Sequence, residues 1–284
     1  MLNLCFLLFL FFPSFLHHGR NESHRQPPPP SVNYKPLYPW ASNKLLAETS
    51  SLTFLSDSRA HLDSEPDFKG RAFGRECDAY ISVRLCVEGE PVCVDNHAND
   101  GEPFFFFYQI VFKRIRQRLP FNSFDRELLT EINVALAQLH PNSWVFIKAF
   151  SILCNHFGHA PSVDVFLHFF EAKNPWKILW VSFSGVTGRV ILTLFQQSYK
   201  GFKGKNFRMC CSEHDCTALD RFPLYWVGKL KLKKTKTLDE LSSADCGVCQ
   251  VLASLGVIFN TAELIKSEYN PIGLAGYIGI GILS

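Results

Sequence analysis

QLHPNSWVFIKAFSILCNHFG, Gln138 to Gly158, is the stretch on which the reading of the fold turns. Position 140 precedes a proline, so its backbone is pushed towards an extended conformation and the preceding helix should stop there. Pro141 suits a first helical position, where a missing N–H costs nothing. Phe146, Phe150, Leu153 and Phe157 then recur at i, i+4, i+7 and i+11, which predicts one continuous buried stripe. Gly158 stands where a helix commonly ends. His140 and Ser143 are also the residue types of a base and a nucleophile. Sequence neighbours at a helix start rarely take up such geometry, and no orienting acid is indicated, so capping is the expected role.

Working outward, Phe104 to Leu119 has apolar residues at Phe107, Ile110, Val111 and Ile115, which predicts an amphipathic helix. Lys113, Arg114, Arg116 and Arg118 fall on its opposite face, and Pro120 stops it. Asn122 or Ser123 caps the next helix, with Asp125 and Glu127 in its first turn, running to about Leu139. Pro161-Ser162 opens a short helix through Val165, Phe166 and Phe169. After Pro175 the period changes to two. Ile178–Phe183, Val190–Phe195, Phe207–Cys211 and Phe222–Val227 read as strands. The expected class is α+β, a helical half packed on a small antiparallel sheet.

The flanks read differently. Leu2 to Leu16 is an apolar, signal-like segment without a basic start, and Asn21-Glu22-Ser23 is a glycosylation sequon of meaning only in a secreted chain. Gln26 to Pro39 holds PPPP and reads as an extended linker. Val83, Leu85 and Val87 alternate as a short strand would. The expected organisation is an apolar segment over 1–20, a Pro-rich and acidic, largely disordered region over 21–102, an α+β domain over 103–236, and a partly helical tail over 237–284, a truncated coiled coil. Asp245 to Lys266 carries weak helical spacing, and the glycine-rich end is too short to span a membrane.

Charge is uneven. Residues 103–236 hold 19 Lys and Arg against 8 Asp and Glu, whereas the rest holds 10 against 18. A basic middle suits an acidic partner such as nucleic acid. Three patches carry it: Lys113, Arg114, Arg116 and Arg118; Lys200, Lys203 and Lys205 with Tyr199, Phe202 and Phe207 interleaved; and KLKLKKTK, with Lys229, Lys231, Lys233, Lys234 and Lys236. Lysines neutralise phosphates and aromatic rings stack on bases. No recognition module is matched, so any such contact would be weakly sequence-specific. The alternative is that the aromatics are core and the lysines a solvated face.

Catalytic candidates are few. A metal-dependent nuclease needs three carboxylates holding metal ions. Asp95 and Glu131 have 35 residues between them, and Asp164 and Glu171 lie seven apart, but surface carboxylates are the plainer reading. Cys246 and Cys249 in CGVC have zinc-site spacing and could join Cys211 and Cys216, while Cys154, His156 and His159 form a looser cluster. Idle thiols are the alternative. CGVC as a redox pair would need a thioredoxin-like strand before it. The expectation is no catalytic residue, no metal, no cofactor and no small-molecule substrate.

The blocks LPFNSFDRELLTEINVALAQLHPNSWVFIKAFSILCNHFG, PSVDVFLHFFEAK, WVSFSGVTGR, SYKGFKGKNFRM and FPLYW follow in order between Pro103 and about Asp245. Together they resemble the gypsy-type transposon (transposase) domain family of plants. The resemblance implies a retrotransposon-derived domain with no active-site residue to carry over, acting in self-association or nucleic-acid contact, in the nucleus or cytoplasm. A metal-dependent transposase and a secreted protein are the alternatives. Leu136 stands where the family leads one to expect proline, which implies a helix running further here.

Overall fold

A computed structural model describes residues 33–52, 81–95, 104–174, 179–193, 204–211 and 223–283. The helices are α1 (Asn43–Leu46), α2 (Gln109–Lys113), α3 (Ser123–Ile132), α4 (Pro141–His156), α5 (Val163–Phe169), α6 (Ser243–Ser254), α7 (Thr261–Ser267) and α8 (Pro271–Leu283). The strands are β1 (Ile81–Arg84), β2 (Phe104–Tyr108), β3 (Phe170–Lys173), β4 (Ser182–Gly185) and β5 (Asn206–Cys211). Leu2–Leu16, the Asn21 sequon and the PPPP run lie outside the described residues.

The opening stretch forms α4 as its punctuation dictates. The His140 ring Nδ1 accepts a hydrogen bond from the Asn142 N–H at 3.1 Å, and Pro141 occupies the first turn. Gly158, at φ 74°, ends it in the left-handed conformation that glycine adopts without cost. Burial goes beyond one stripe, because twelve of the sixteen residues are buried. A helix apolar on every face belongs inside a core. Around it the aromatics interlock. Phe121 stacks on Trp144 at 5.5 Å, and Phe107 meets the Trp144 edge at 5.3 Å. Phe150 touches Phe166 at 5.3 Å, and Phe166 stacks on Phe170 at 4.6 Å.

The class is α+β, but helices and strands do not segregate into halves. One antiparallel sheet has the order β1-β5-β2, and the other pairs β3 with β4. The run Phe104–Tyr108 is a strand, not the start of a helix. All five of its side chains are buried, and it pairs with β5 from Phe104↔Cys210 to Tyr108↔Asn206. Five aromatics in succession have no helical period, and a backbone so buried needs partners for its polar groups, which pairing with β5 supplies. The helix predicted over this region shrinks to α2.

Helix α3 stops at Ile132, where Asn133 takes the left-handed conformation at φ 50°. The expected run to Leu139 is replaced by a 3-10 turn at Leu136–Gln138. The buried Gln138 amide explains the stop: its Oε1 accepts from Val227 N–H at 3.1 Å and its Nε2 donates to Val227 C=O at 3.0 Å. The predicted strand Phe222–Val227 is, over its described residues 223–227, an irregular segment with a bend at Leu224 and Tyr225, and Phe222 lies outside the described residues. The strand expected over Ile178–Phe183 appears as β4, shifted later. The one expected over Val190–Phe195 is, among the described residues, a single parallel bridge from Leu192 to Phe259.

The core takes in chain on both sides of residues 103–236. Tyr38, Ala41, Leu45, Leu85, Cys86 and Val92 are buried in it, as are Leu252, Phe259 and Leu264 from the tail. The Ser50 hydroxyl donates to Asn206 C=O at 2.9 Å and accepts from Asn206 N–H at 3.2 Å. Glu90, almost fully buried, receives Arg208 through Nε at 2.8 Å and through Nη2. The Arg208 guanidinium lies over the Phe104 ring at 4.1 Å. In the tail, α7 packs on α4 and α8 on α7. Among the described residues, no helix is long and apolar enough to cross a membrane.

Candidate nucleic-acid interface

The first basic patch is built by an irregular turn that follows α2 rather than by a helix face. Beyond Lys113, the last residue of α2, exposure alternates. Ile115, Gln117 and Leu119 are buried, whereas Arg114, Arg116 and Arg118 are exposed. The alternation arises in a turn, because Arg114 keeps helical backbone and Arg116 is left-handed. Arg116 adopts φ 57°, which closes α2 off. Gln117 is held inward by donating to Asp125 Oδ2 at 2.7 Å. Burial pushes the Asp125 carboxyl up to about 6, against the opposing pull of the Gln117 amide and the Lys148 charge.

The segment meets a partner that spacing along the chain gave no sign of. Tyr269, in the corner between α7 and α8, is 49% exposed, so one face remains open to solvent. The guanidinium carbons of Arg116 and Arg118 lie 5.2 and 5.5 Å from its ring centre. That distance is within the range of cation–π attraction. The neighbouring carboxylate, Glu268, pairs with Lys148 at 2.5 Å. Arg114, Arg116 and Arg118 have no carboxylate partner among the described residues.

The lysine run is strapped to the helices. Lys236 N–H donates to Leu167 C=O at 3.0 Å, and its own carbonyl accepts from Arg189 Nη1 at 2.9 Å. The Lys233 ammonium lies 2.6 Å from Glu131, and that of Lys236 lies 3.7 Å from Asp164. Glu131 and Asp164 border a cleft of about 450 Å³ between α3 and α5. Two of the five lysines therefore have carboxylates of their own, while Lys229, Lys231 and Lys234 are exposed and have none among the described residues. Of the middle patch only Lys205, also exposed, is described among the lysines; Lys200 and Lys203 lie outside the described residues, as do Tyr199 and Phe202.

The catalytic candidates are dispersed into separate local pairs. Asp95 accepts from the Tyr38 hydroxyl at 2.7 Å, Glu131 and Asp164 hold lysines, and Glu171 pairs with Lys173. The Ser143 hydroxyl accepts from Phe183 N–H at 3.0 Å, which ties α4 to β4. Among the described residues, no three metal-binding side chains gather. Cys216 and the Cys211 side chain lie outside them. Cys246 and Cys249 sit within α6 with no strand before them, and burial pushes the Cys249 thiol up to about 11 and the Cys154 thiol up to about 12. Thiols so raised stay protonated and inert at neutral pH.

Residues 110–174 match the family model described as putative gypsy type transposon. The matched segment runs from α2 through α5 to the end of β3, so it contains the arginine patch and the buried α4 but not the lysine run. Over these residues the chain is similar to gypsy-type transposon proteins. No curated protein and no solved structure matches the chain.

Proposed function

We propose that the chain is a non-catalytic, retroelement-derived protein that contacts nucleic acid with weak sequence preference, through the Arg114–Arg118 segment and Tyr269. The observation that carries this reading is the set of three exposed arginines without carboxylate partners among the described residues, two of them against a half-exposed tyrosine. Charge that tracks a phosphate backbone, next to a ring that accepts any base, is the arrangement single strands need. Lys229, Lys231 and Lys234 add further exposed cations. A non-catalytic role is supported by the separate pairing of the candidate carboxylates.

The test is fluorescence anisotropy of the full chain with labelled single-stranded oligonucleotides of unrelated sequence. Affinity should fall steeply as salt rises and differ little between sequences. Arg116→Ala and Arg118→Ala should each flatten the salt slope, by about 0.7 for every phosphate of a single strand that is no longer neutralised. Tyr269→Ala should weaken binding by about 1–3 kcal/mol. An affinity indifferent to salt would refute the reading. Self-association is a second reading, favoured by Ile272, which stands 87% exposed at the start of the apolar helix α8. Sedimentation of wild type against Ile272→Asp distinguishes it, a shift to monomer being the supporting result.

A further inference from the structure

We propose that the cleft between the β4–Arg189 turn and the end of α6 is a binding site for a small carboxylic acid with an apolar body, and that Arg189 receives the carboxylate. This site is separate from the arginine–tyrosine surface and does not depend on it. The cleft measures about 270 Å³. Phe169, Ile191, Leu252, Val257 and Ile258 line it beside Arg189 and His168, and its accessible wall is polar and apolar in near-equal measure.

The charge of Arg189 is what calls for a ligand. One guanidinium nitrogen, Nη1, is engaged by backbone: it donates to Lys236 C=O at 2.9 Å and to His168 C=O at 3.3 Å, and lies 3.3 Å from His168 Nδ1. Those bonds fix the plane of the group but leave its charge unneutralised. Nε and Nη2 make no hydrogen bond, and no carboxylate pairs with Arg189, among the described residues. The acid nearest along α6, Asp245, is engaged elsewhere, accepting from Ser162 at 2.7 Å and from Ser242 at 2.6 Å. His168 offers no compensation, since burial, and then the Arg189 charge, lower its pKa. A half-buried cation beside a cleft with partly apolar walls matches a carboxylate, whose two oxygens suit the guanidinium fork, carried on a short hydrocarbon tail. The volume is below that of drug-sized pockets, which limits the ligand to a compact acid.

Sodium octanoate and octan-1-ol are the probes, titrated into the full chain by calorimetry and followed by the His168 ring resonances. Octanoate should saturate one site and shift those resonances, and octan-1-ol should bind at least tenfold more weakly. Arg189→Gln should weaken octanoate at least tenfold, while Arg189→Lys, which keeps the charge, should retain most of the affinity. Because Arg189 also holds the Lys236 carbonyl, Ala253→Leu provides a second test that leaves the guanidinium in place and fills the cleft wall. It too should weaken octanoate at least tenfold. Absence of saturation by wild type at millimolar octanoate overturns the proposal. So does equal binding of octanoate and octan-1-ol, or unchanged octanoate affinity in Arg189→Gln or Ala253→Leu.

Discussion

The layer around α4 and the sheet β1-β5-β2 hold the same core together by different means. In the first, Trp144, Phe150, Phe166 and Phe170 interlock as rings, and directional bonds serve mainly at the ends, through His140 and Ser143. In the second, segments distant in sequence are joined by buried polar contacts, Glu90 to Arg208 and Ser50 to Asn206. Apolar packing tolerates exchange for side chains of similar volume, whereas a buried charge depends on one particular partner. Each region should therefore fail, and be rescued, in its own way.

The largest effects come from breaking the principal element of each. Glu90→Ala leaves the part-buried Arg208 without the carboxylate it holds and should destabilise the fold by about 3 kcal/mol. Phe150→Ala should cost a similar amount, about 3–5 kcal/mol, through reduced burial and the cavity left behind. Urea denaturation measures both. The contrast lies in the double variant Glu90→Leu with Arg208→Met. It should recover most of the stability, since a hydrophobic pair of similar volume often equals a buried ion pair. A double variant as unstable as Glu90→Ala alone would erase the proposed difference between the regions.

A smaller effect sharpens the comparison from the helical side, where Asp125 is a buried acid hydrogen-bonded to an uncharged amide. Its folded pKa of about 6 lies above the ordinary 3.8. The folded state thus binds the proton more tightly. That contribution to stability is fully present below the unfolded value and is lost as pH rises through the folded one, between roughly pH 4 and 6. Asp125→Asn should flatten the pH profile in that window and raise stability at neutral pH by on the order of 2 kcal/mol. Thermal melts from pH 4 to pH 7 test the sign. Glu90, held by Arg208, should give no comparable gain on neutralisation.

The smallest effects concern how α4 begins. Ser143→Ala strands the buried Phe183 N–H and should cost about 1–3 kcal/mol. His140→Ala removes a cap on one N–H and should cost about 1 kcal/mol. Equal destabilisation by the two, measured in urea, would mean that the tie to β4 matters no more than the cap.

The helical layer was legible because its signals are local. The His140-Pro141 boundary, the Asn122 and Ser162 caps and Gly158 all act within a few residues of themselves, and each stands where the chain pattern put it. The sheet was not. Phe104–Tyr108 mimics a helix start by its apolar content, and its strand identity depends on β5, about a hundred residues away. Apart from the alternation at Val83, Leu85 and Val87, residues 33–52 and 81–95 lack sustained periodicity, and Glu90, Ser50 and Tyr38 tie them to distant partners. The candidate interface divides along the same line. The arginines were readable as charge, but their alternation and the approach of Arg116 and Arg118 to Tyr269 were not.

By itself, the sequence determined the helix boundaries around α4, the α+β class, the basic middle and the resemblance to gypsy-type transposon proteins. These follow from periodicity, capping and composition, which act over one or two turns of chain. Only the tertiary structure decided which strands pair, which lysines meet Glu131 and Asp164, and that Arg189 has no carboxylate partner among the described residues where it borders a cleft. Those outcomes depend on burial and on contacts between residues far apart in sequence, where desolvation decides whether a polar group needs a partner.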